Sequence, residues 1–138
     1  MTRSLSHLKV FPFLQRAILA KATKGNVVAL LPTGTGKTLI SIRLIRHLLH
    51  QTVGRFPADA KRTVFLAPTR VLVEQQFRYI RASIPEASVQ FHHGDHNVDA
   101  WTREQWVGVF QQHQILLFTP DVLYSKCPIH FLFVNKNC

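Results

Sequence analysis

The segment LLPTGTGKTLISIRLI, residues 30–45, constrains the fold of this chain more than any other feature of its sequence. A glycine-rich turn stands directly before a helical pattern that starts at Lys37, and the apolar run NVVALL precedes the turn. A strand, a turn and a helix in this order gather backbone N–H groups and the positive end of a helix dipole in one small volume. The segment therefore predicts a loop that binds the phosphates of a nucleotide.

The residues of the predicted loop have separate roles. Gly34 and Gly36 lack a Cβ atom, so the backbone there can approach phosphate oxygens closely. Lys37 is expected to reach the β- and γ-phosphates, and Thr38 to offer its hydroxyl to Mg²⁺. The general pattern has a glycine where this chain has Leu31, and the alternative is a chance glycine-rich turn. The predicted phosphate-binding residues are Thr33, Gly34, Thr35, Gly36, Lys37 and Thr38.

The hydrophobic pattern predicts an α/β fold. From Asn26 to about Leu123, apolar runs alternate with amphipathic stretches, which is typical of a mostly parallel sheet with flanking helices. The run NVVALL predicts a strand buried on both faces. Further strands are predicted at RTVFLA, SVQFHH and QILLF, and helices at FPFLQRAILAKATKG with Pro12 near its first turn, KTLISIRLIRHLLHQ, RVLVEQQFRYIRAS and DAWTREQWVGVFQQH.

The charge of the chain favours a polyanionic partner. Lys and Arg total 17 against 7 Asp and Glu, a formal net charge of +10 at pH 7. This excess favours nucleic acid or a nucleotide over an acidic protein, and a solvated basic surface is the simpler alternative.

The remaining composition favours a cytoplasmic or nuclear protein. The two cysteines, Cys127 and Cys138, both lie near the C-terminus, so we expect ordinary thiols rather than a disulfide framework. No apolar run reaches the ~18 residues of a membrane span, and the N-terminal segment has no uninterrupted signal-peptide core. We therefore expect no membrane partner.

Three segments in a fixed order resemble superfamily two helicases and translocases. PTGTGKT resembles their phosphate loop, APTRVLVEQQ their motif Ia and FTPDVL their motif Ib. Within that superfamily, FLQRAIL, VEQQ and DAWTREQW make the chain most similar to the helicase domain of Dicer and its relatives among innate RNA sensors. The resemblance covers roughly residues 11–124. It implies a truncated RecA-like ATP-binding lobe over residues 1–125, followed by a non-family tail over 126–138.

This resemblance also implies ligands and site residues. It implies ATP and Mg²⁺ as cofactors, RNA, double-stranded in particular, or another nucleic acid as partner, and a role in RNA interference. Gln15 would read adenine, although Pro12, Leu14 and Ala17 depart from the family pattern around it. Thr38 would contact the metal. The nucleic-acid backbone would be held by Pro68, Thr69, Arg70, Gly94, Thr119 and Pro120.

The backbone contacts also have a physical basis. Residues 68–70 begin a predicted helix, where a hydroxyl, a cation and free N–H groups converge on one position for a phosphate. The alternative is that Thr69 and Thr119 only cap their helices. Capping and phosphate contact can coexist, because a helix start has several free donors.

Two further groups of residues, the histidines of FHHGDH and the two tryptophans, are weaker evidence for a binding site. FHHGDH offers three imidazoles and a carboxylate, but no second ligand pair stands at zinc spacing, so we do not expect a metal there. The resemblance places His93 and Gly94 near the nucleic-acid face. Trp101 and Trp106 could stack on bases, but Trp106 shares a helical face with apolar residues, so core packing is expected.

The acidic half of a hydrolytic site is not evident. Phosphate-loop hydrolases hold Mg²⁺ with a second acidic group, usually at the end of a buried strand. The 138 residues contain no DExD/H motif, later motifs or second lobe with an arginine finger. Asp121 alone follows a strongly apolar strand, and it lies in the segment assigned to nucleic acid. We therefore expect nucleotide binding without useful turnover and assign no catalytic residue.

The C-terminal segment SKCPIHFLFVNKNC departs from the family pattern. It indicates a retained intron or a truncated gene model, with a genuine short isoform as the alternative. A strand at NVVALL would then lack a neighbour, which predicts an aggregation-prone product unless IHFLFV substitutes.

Three functions remain open. The chain is the N-terminal part of an ATP-dependent, Dicer-like RNA helicase lobe, or a non-catalytic fragment that binds RNA or a partner without ATP turnover. The third, a phosphate-loop kinase or GTPase, is disfavoured because neither a guanine-reading motif nor an arginine-rich lid is present.

Overall fold

The computed structural model describes residues 5–127 of the chain. The chain divides into two compact units, Met1–Leu48 and Leu49–Cys138. The segment IHFLFV and Cys138, on which two of the expectations above depend, lie outside the described residues. No helix among the described residues is long and apolar enough to cross a membrane.

The first unit contains two helices that pack against each other. Helix α1 spans Leu5–Ala22 and helix α2 spans Lys37–Leu48. Helix α1 begins earlier than predicted, because Leu and Lys residues upstream are good helix formers and extend the helical pattern. Pro12 therefore lies inside α1, where it removes one backbone hydrogen bond, and not in its first turn as predicted.

The segment before the glycine turn is irregular. No strand is present over residues 26–31, and the side chains of Val28 and Leu30 are 89% and 92% exposed. The prediction of a buried strand at NVVALL is therefore wrong. A strand requires a neighbour for its N–H and C=O groups, and the three strands of the described residues pair only with one another.

The second unit is built on a three-stranded parallel sheet. Its strands are β1, Thr63–Leu66, β2, Val89–His92, and β3, Ile115–Phe118, in the spatial order β1-β3-β2. Thr63 and Val89 both lie opposite Ile115 in the register. Strand β3 is buried over all four residues because it has a neighbour on each side. Three of the four predicted strands are confirmed, and so is the α/β class with a parallel sheet.

Three helices accompany this sheet: α3, Arg70–Ser83, α4, Arg103–Gln112, and α5, Pro120–Lys126. Helix α3 has the predicted bounds, and α5 begins directly after Thr119. Helix α4 begins later than predicted because Thr102 and Gln105 form a capping box before it. In that box the Gln105 N–H donates to Thr102 Oγ1 over 3.3 Å, and the Thr102 N–H donates to Gln105 Oε1 over 2.8 Å.

An aromatic core forms around β3 and α4. Trp106, Phe110 and Phe118 are each at most 1% exposed, so the expectation that Trp106 packs in the core is confirmed. Trp101 is half-buried, and its ring centroid lies 5.0 Å from that of Trp106 in an edge-to-face arrangement. This core anchors β3, and thereby fixes the position of the residues that follow the strands.

Candidate functional site

The glycine turn of the first unit has the conformation that its sequence requires. Gly34 and Gly36 adopt φ angles of 78° and 86°, a region that residues with a Cβ atom enter only with strain. A Cβ atom added at Gly36 would lie 2.6 Å from Nε2 of Gln15. Glycine is therefore favoured at Gly36 by its backbone angle, and a larger residue would displace the amide end of Gln15.

Gln15 of α1 contacts this turn directly. Its Nε2 donates a hydrogen bond to the carbonyl oxygen of Thr35 over 3.1 Å. Thr35 is buried, and its hydroxyl donates to the carbonyl oxygen of Pro32 over 2.7 Å. The structure thus brings Gln15 to the predicted loop, where it supports the backbone of the turn.

Lys37 and Thr38 begin α2 immediately after the turn. The Lys37 side chain is exposed, and its Nζ donates to the carbonyl oxygen of Leu31 over 2.8 Å. Thr38 is half-buried, whereas Thr33 is exposed. The ammonium group therefore lies back across the turn, beside the backbone of Leu31.

Within the first unit, the described residues around this turn are positive or neutral. The first turn of α2 has no acidic residue, and no Asp or Glu precedes Asp59 in the chain. A lysine at a helix N-terminus is unfavourable beside the positive end of the dipole, whereas an anion there is stabilised. A phosphate group would relieve this imbalance. The glycine cradle, the lysine and the hydroxyl of Thr38 thus fit a nucleotide phosphate chain with its Mg²⁺ ion.

The second set of predicted residues lies at one edge of the sheet. Thr69 follows β1, Gly94 follows β2 and Thr119 follows β3, and parallel strands bring their carboxyl ends to the same edge. A cleft of about 390 Å³ opens there. It is lined by Pro68, Thr69, Arg70, Val71, Thr119 and Asp121.

Two further predicted residues lie next to the cleft rather than in its lining. A Cβ atom added at Gly94 would lie 3.5 Å from Nη2 of Arg70, which is an ordinary contact distance and places Gly94 beside the guanidinium. Pro120 is the first residue of α5, where the missing N–H costs no hydrogen bond. The structure therefore gathers all six predicted residues in one region of the second unit.

The two threonines differ in capping. Thr69 is the N-cap of α3, and its hydroxyl accepts a hydrogen bond from the Leu72 N–H over 3.3 Å. Thr119 precedes α5 but makes no side-chain capping bond there. The capping alternative accounts for Thr69 and does not account for Thr119.

Sequence reasoning missed the acidic partner of Arg70. Arg70 Nη1 forms an ion pair with Oδ1 of Asp95, and the side chains of both residues are 58% exposed. His93 is buried, and its Nδ1 accepts a hydrogen bond from the Asp95 N–H over 3.4 Å. The segment FHHGDH shows the carboxylate but not its partner, because the pairing depends on which strands are neighbours in the sheet.

The histidines of this segment do not form a metal site. Within residues 5–127, no group of three His, Cys, Asp or Glu side chains is arranged to hold a metal ion. Burial, followed by the charges of the neighbouring histidines His96, His113 and His93, lowers the pKa of His92 to about 4. Burial also raises the pKa of the Cys127 thiol to about 11, so this thiol stays protonated.

Comparison with known proteins gives one family and a consistent set of relatives. The family model of the DEAD/DEAH box helicases matches residues 13–132. Endoribonuclease Dicer homolog 2b of Oryza sativa subsp. japonica is 38% identical over 112 residues, which are 81% of this chain and 8% of that protein. Endoribonuclease Dicer homolog 3 of Arabidopsis thaliana is 35% identical over 117 residues, 85% of this chain and 7% of that protein.

A vertebrate relative and one solved structure extend the comparison. Endoribonuclease Dicer of Gallus gallus is 34% identical over 122 residues, 88% of this chain and 6% of that protein. This chain thus spans less than a tenth of the length of these relatives. A nuclease-deletion mutant of the Type ISP restriction-modification enzyme LlaGI, solved with a DNA substrate mimic, matches with a TM-score of 0.49 and 16% identity, over 77% of this chain and 12% of that one.

Proposed function

This chain belongs to the DEAD/DEAH box helicase family, and from that premise we propose that it is part of an ATP-dependent, Dicer-like RNA helicase lobe. In this proposal the turn before α2 binds the phosphates of ATP, and the cleft at the sheet edge binds a nucleic-acid backbone. The observation that carries the proposal is the glycine turn, in which Gly34 and Gly36 have positive φ angles and Lys37 begins α2 and reaches back to the carbonyl oxygen of Leu31.

All residues of the proposed ATP site belong to the first unit of the chain. Lys37 leaves the carbonyl oxygen of Leu31 and turns to the β- and γ-phosphates, while the free N–H groups of α2 and the turn bind phosphate oxygens. Thr38 offers its hydroxyl to Mg²⁺. Thr33, Gly34 and Thr35 complete the cradle, and Gln15 holds the backbone of Thr35 from α1. Adenine recognition by Gln15 is part of the same proposal.

The 138 residues alone are proposed to bind ATP without useful turnover. Hydrolysis needs a carboxylate to hold Mg²⁺ and to position water, in addition to the phosphate loop. No Asp or Glu precedes Asp59, so the unit that carries the phosphate loop supplies none. The alternative function, a non-catalytic fragment that binds RNA or a partner, shares this absence of turnover and differs in needing no nucleotide.

The nucleic-acid site draws on the edge of the sheet. Arg70 can bind a phosphate with two parallel hydrogen bonds, and Thr69 and Thr119 line the same cleft, where the hydroxyl oxygen of Thr119 is buried. In this proposal Gly94 and Pro68 lie beside the bound nucleic-acid strand. Pro120 is the first residue of α5, next to the cleft. Contacts of this kind hold the sugar-phosphate backbone and carry no base information.

RNA is the proposed nucleic acid because the relatives are named endoribonucleases. Double-stranded RNA and a role in RNA interference are proposed from the resemblance to Dicer helicase domains, and a cytoplasmic or nuclear location from the composition of the chain. These properties concern a whole protein of which this chain matches less than a tenth.

A crossed pair of substitutions tests the proposal. Lys37→Ala should abolish ATP binding and leave salt-sensitive RNA binding in place, because the cation is removed from the phosphate loop only. Arg70→Ala should weaken RNA binding and leave ATP binding in place. Fluorescence anisotropy with labelled RNA measures the RNA affinity of each variant, and calorimetry measures its ATP affinity. If Lys37→Ala leaves ATP affinity unchanged, the central assignment is wrong and the non-catalytic alternative takes its place.

A further inference from the structure

We propose that Asp95 is a positioning and specificity residue at the cleft, because its carboxylate holds the Arg70 guanidinium and competes with a backbone phosphate for it. This inference rests on the proposed function of the cleft. Among the described residues that line the cleft, Arg70 is the only basic one. Its side chain forms an ion pair with Asp95, 25 residues further along the chain.

The Asp95 carboxylate is held in place by the backbone turn that carries it. The Asp95 N–H donates to Nδ1 of His93 over 3.4 Å, and that nitrogen lies 3.8 Å from Oδ2 of Asp95. His93 is buried, and its Nε2 lies 3.3 Å from Oε1 of Glu74. Glu74 stands four residues after Arg70 on α3, so both contacts join the same face of that helix to the segment after β2.

The ion pair itself is weak enough to be displaced. Half or more of each side chain is exposed, and exposed ion pairs contribute little because water and salt screen them. A phosphate offers the guanidinium two parallel hydrogen bonds, which the single Arg70–Asp95 contact does not. A backbone phosphate can therefore take the place of Asp95.

This exchange makes binding depend on more than charge. A lone anion would only replace one negative partner of Arg70 with another, so its gain is small. A nucleic-acid strand brings additional contacts with the other residues that line the cleft, such as the exposed Thr69. Asp95 thus favours a strand with several phosphates over a single phosphate ion.

The test measures binding of a fluorescently labelled 12-mer RNA duplex to the full chain at low salt. Asp95→Asn removes the competitor with little change of shape, and it should tighten binding by about twofold to fivefold, the range expected for one exposed ion pair. Arg70→Ala should weaken binding. In the Arg70→Ala background, Asp95→Asn should tighten binding less than it does in the unsubstituted chain, because no guanidinium is left to release.

Two control variants separate this role from a change in overall charge. Glu86→Gln removes the same charge beyond the far end of α3, about 20 Å along the helix from Arg70, and it should tighten binding less than Asp95→Asn does. Asp95→Glu keeps the charge and should bind like the unsubstituted chain. Thermal melting checks that each variant is folded.

The outcomes separate this inference from the proposed function. If Arg70→Ala weakens binding but Asp95→Asn tightens it no more than Glu86→Gln, or tightens it equally in the Arg70→Ala background, the competitor role is wrong and the proposed function stands. If the unsubstituted chain does not bind the 12-mer, the proposed nucleic-acid function and this inference both fail.

Discussion

Oε1 of Glu74 and Nε2 of His93 lie 3.3 Å apart, and this contact joins α3 to the turn that follows β2. It is the middle of three contacts along one helix face. Arg70 pairs with Asp95 on one side of it, and on the other the ring of Phe77 packs on Phe91 with centroids 4.7 Å apart. Helix positions three to four residues apart thus meet alternate residues of the β2 segment.

The contact predicts a stability cost for its removal. His93→Ala takes away a buried side chain and leaves the Asp95 N–H without its acceptor, so we expect a loss of about 1–2 kcal/mol in the free energy of unfolding. Urea denaturation measures this loss. Arg78→Ala is the matched control, because the exposed Arg78–Glu74 pair one turn apart is worth at most about 0.5 kcal/mol. If both variants lost the same free energy of unfolding, the contacts of the buried His93 side chain would not contribute as proposed.

We expect substitution of Arg62, in the same unit, to lower the free energy of unfolding more than His93→Ala does. Its guanidinium donates to the carbonyl oxygens of Phe110 over 2.6 Å, Thr52 over 3.0 Å and Gly54 over 3.2 Å, and it lies 5.4 Å from the ring centroid of Phe56. Arg62→Ala should cost about 2–3 kcal/mol, because several buried carbonyl groups lose charged donors.

A lysine in this position should not restore the lost stability. The single ammonium group of a lysine cannot replace the planar guanidinium of Arg62, whose nitrogens donate to three separate carbonyl oxygens. Arg81→Ala is the control, since its guanidinium lies 5.8 Å from the ring centroid of Phe77 at an exposed position. Chemical denaturation in which Arg62→Lys matched the unsubstituted chain would show that only the charge is needed.

The glycine turn predicts a graded series of alanine substitutions. Gly25→Ala should be tolerated, since nothing lies within 4 Å of the added atom; Gly34→Ala should cost about 1 kcal/mol for its positive φ alone. Gly36→Ala should cost more, because the added atom also meets Gln15. Gln15→Ala should then partly rescue Gly36→Ala, a non-additivity that a double-mutant cycle detects. Strict additivity would argue against the close approach of these two residues.

His92 predicts a pH dependence of stability. Its pKa in the folded chain is about 4, below the ordinary value of 6.5, so the unfolded chain binds more protons between these values. Stability should be fully present above pH 6.5 and fall as the pH drops toward 4. The expected fall is on the order of 1–2 kcal/mol, reduced by the partial exposure of the ring.

The variant His92→Phe should flatten this dependence. A phenyl ring keeps the aromatic contact with Trp101, whose centroid lies 4.7 Å from that of His92, and it cannot titrate. A weaker dependence should remain, because burial also lowers the pKa of His113. Melting temperatures measured across this pH range for both chains provide the comparison, and identical profiles would rule out His92 as the titrating group.

Local signals explain what the sequence predicted well. Helix α3 was placed to the residue because Thr69 caps it and its apolar positions repeat with the helical period. Strand β3 was found because four consecutive apolar residues are bounded by polar ones. The glycine turn was recognisable because its backbone angles permit little except glycine.

Contacts between distant parts of the chain explain what the sequence did not predict. The run NVVALL has the composition of a buried strand, but whether it forms one depends on a neighbouring strand, which composition does not report. The pairing of Arg70 with Asp95 depends on the strand order β1-β3-β2, which brings the ends of β1 and β2 to the same edge. Spacing along the chain could not give that order.

The most direct test of the central claim compares ATP with adenosine as ligands of the same chain. If the turn before α2 binds phosphates, calorimetry with Mg²⁺ present should detect ATP and no adenosine, and Lys37→Ala should abolish the signal. Lys24→Ala, which removes an exposed lysine of the same unit, should leave it intact. Equal affinity for ATP and adenosine, or undiminished ATP binding by Lys37→Ala, would contradict the account.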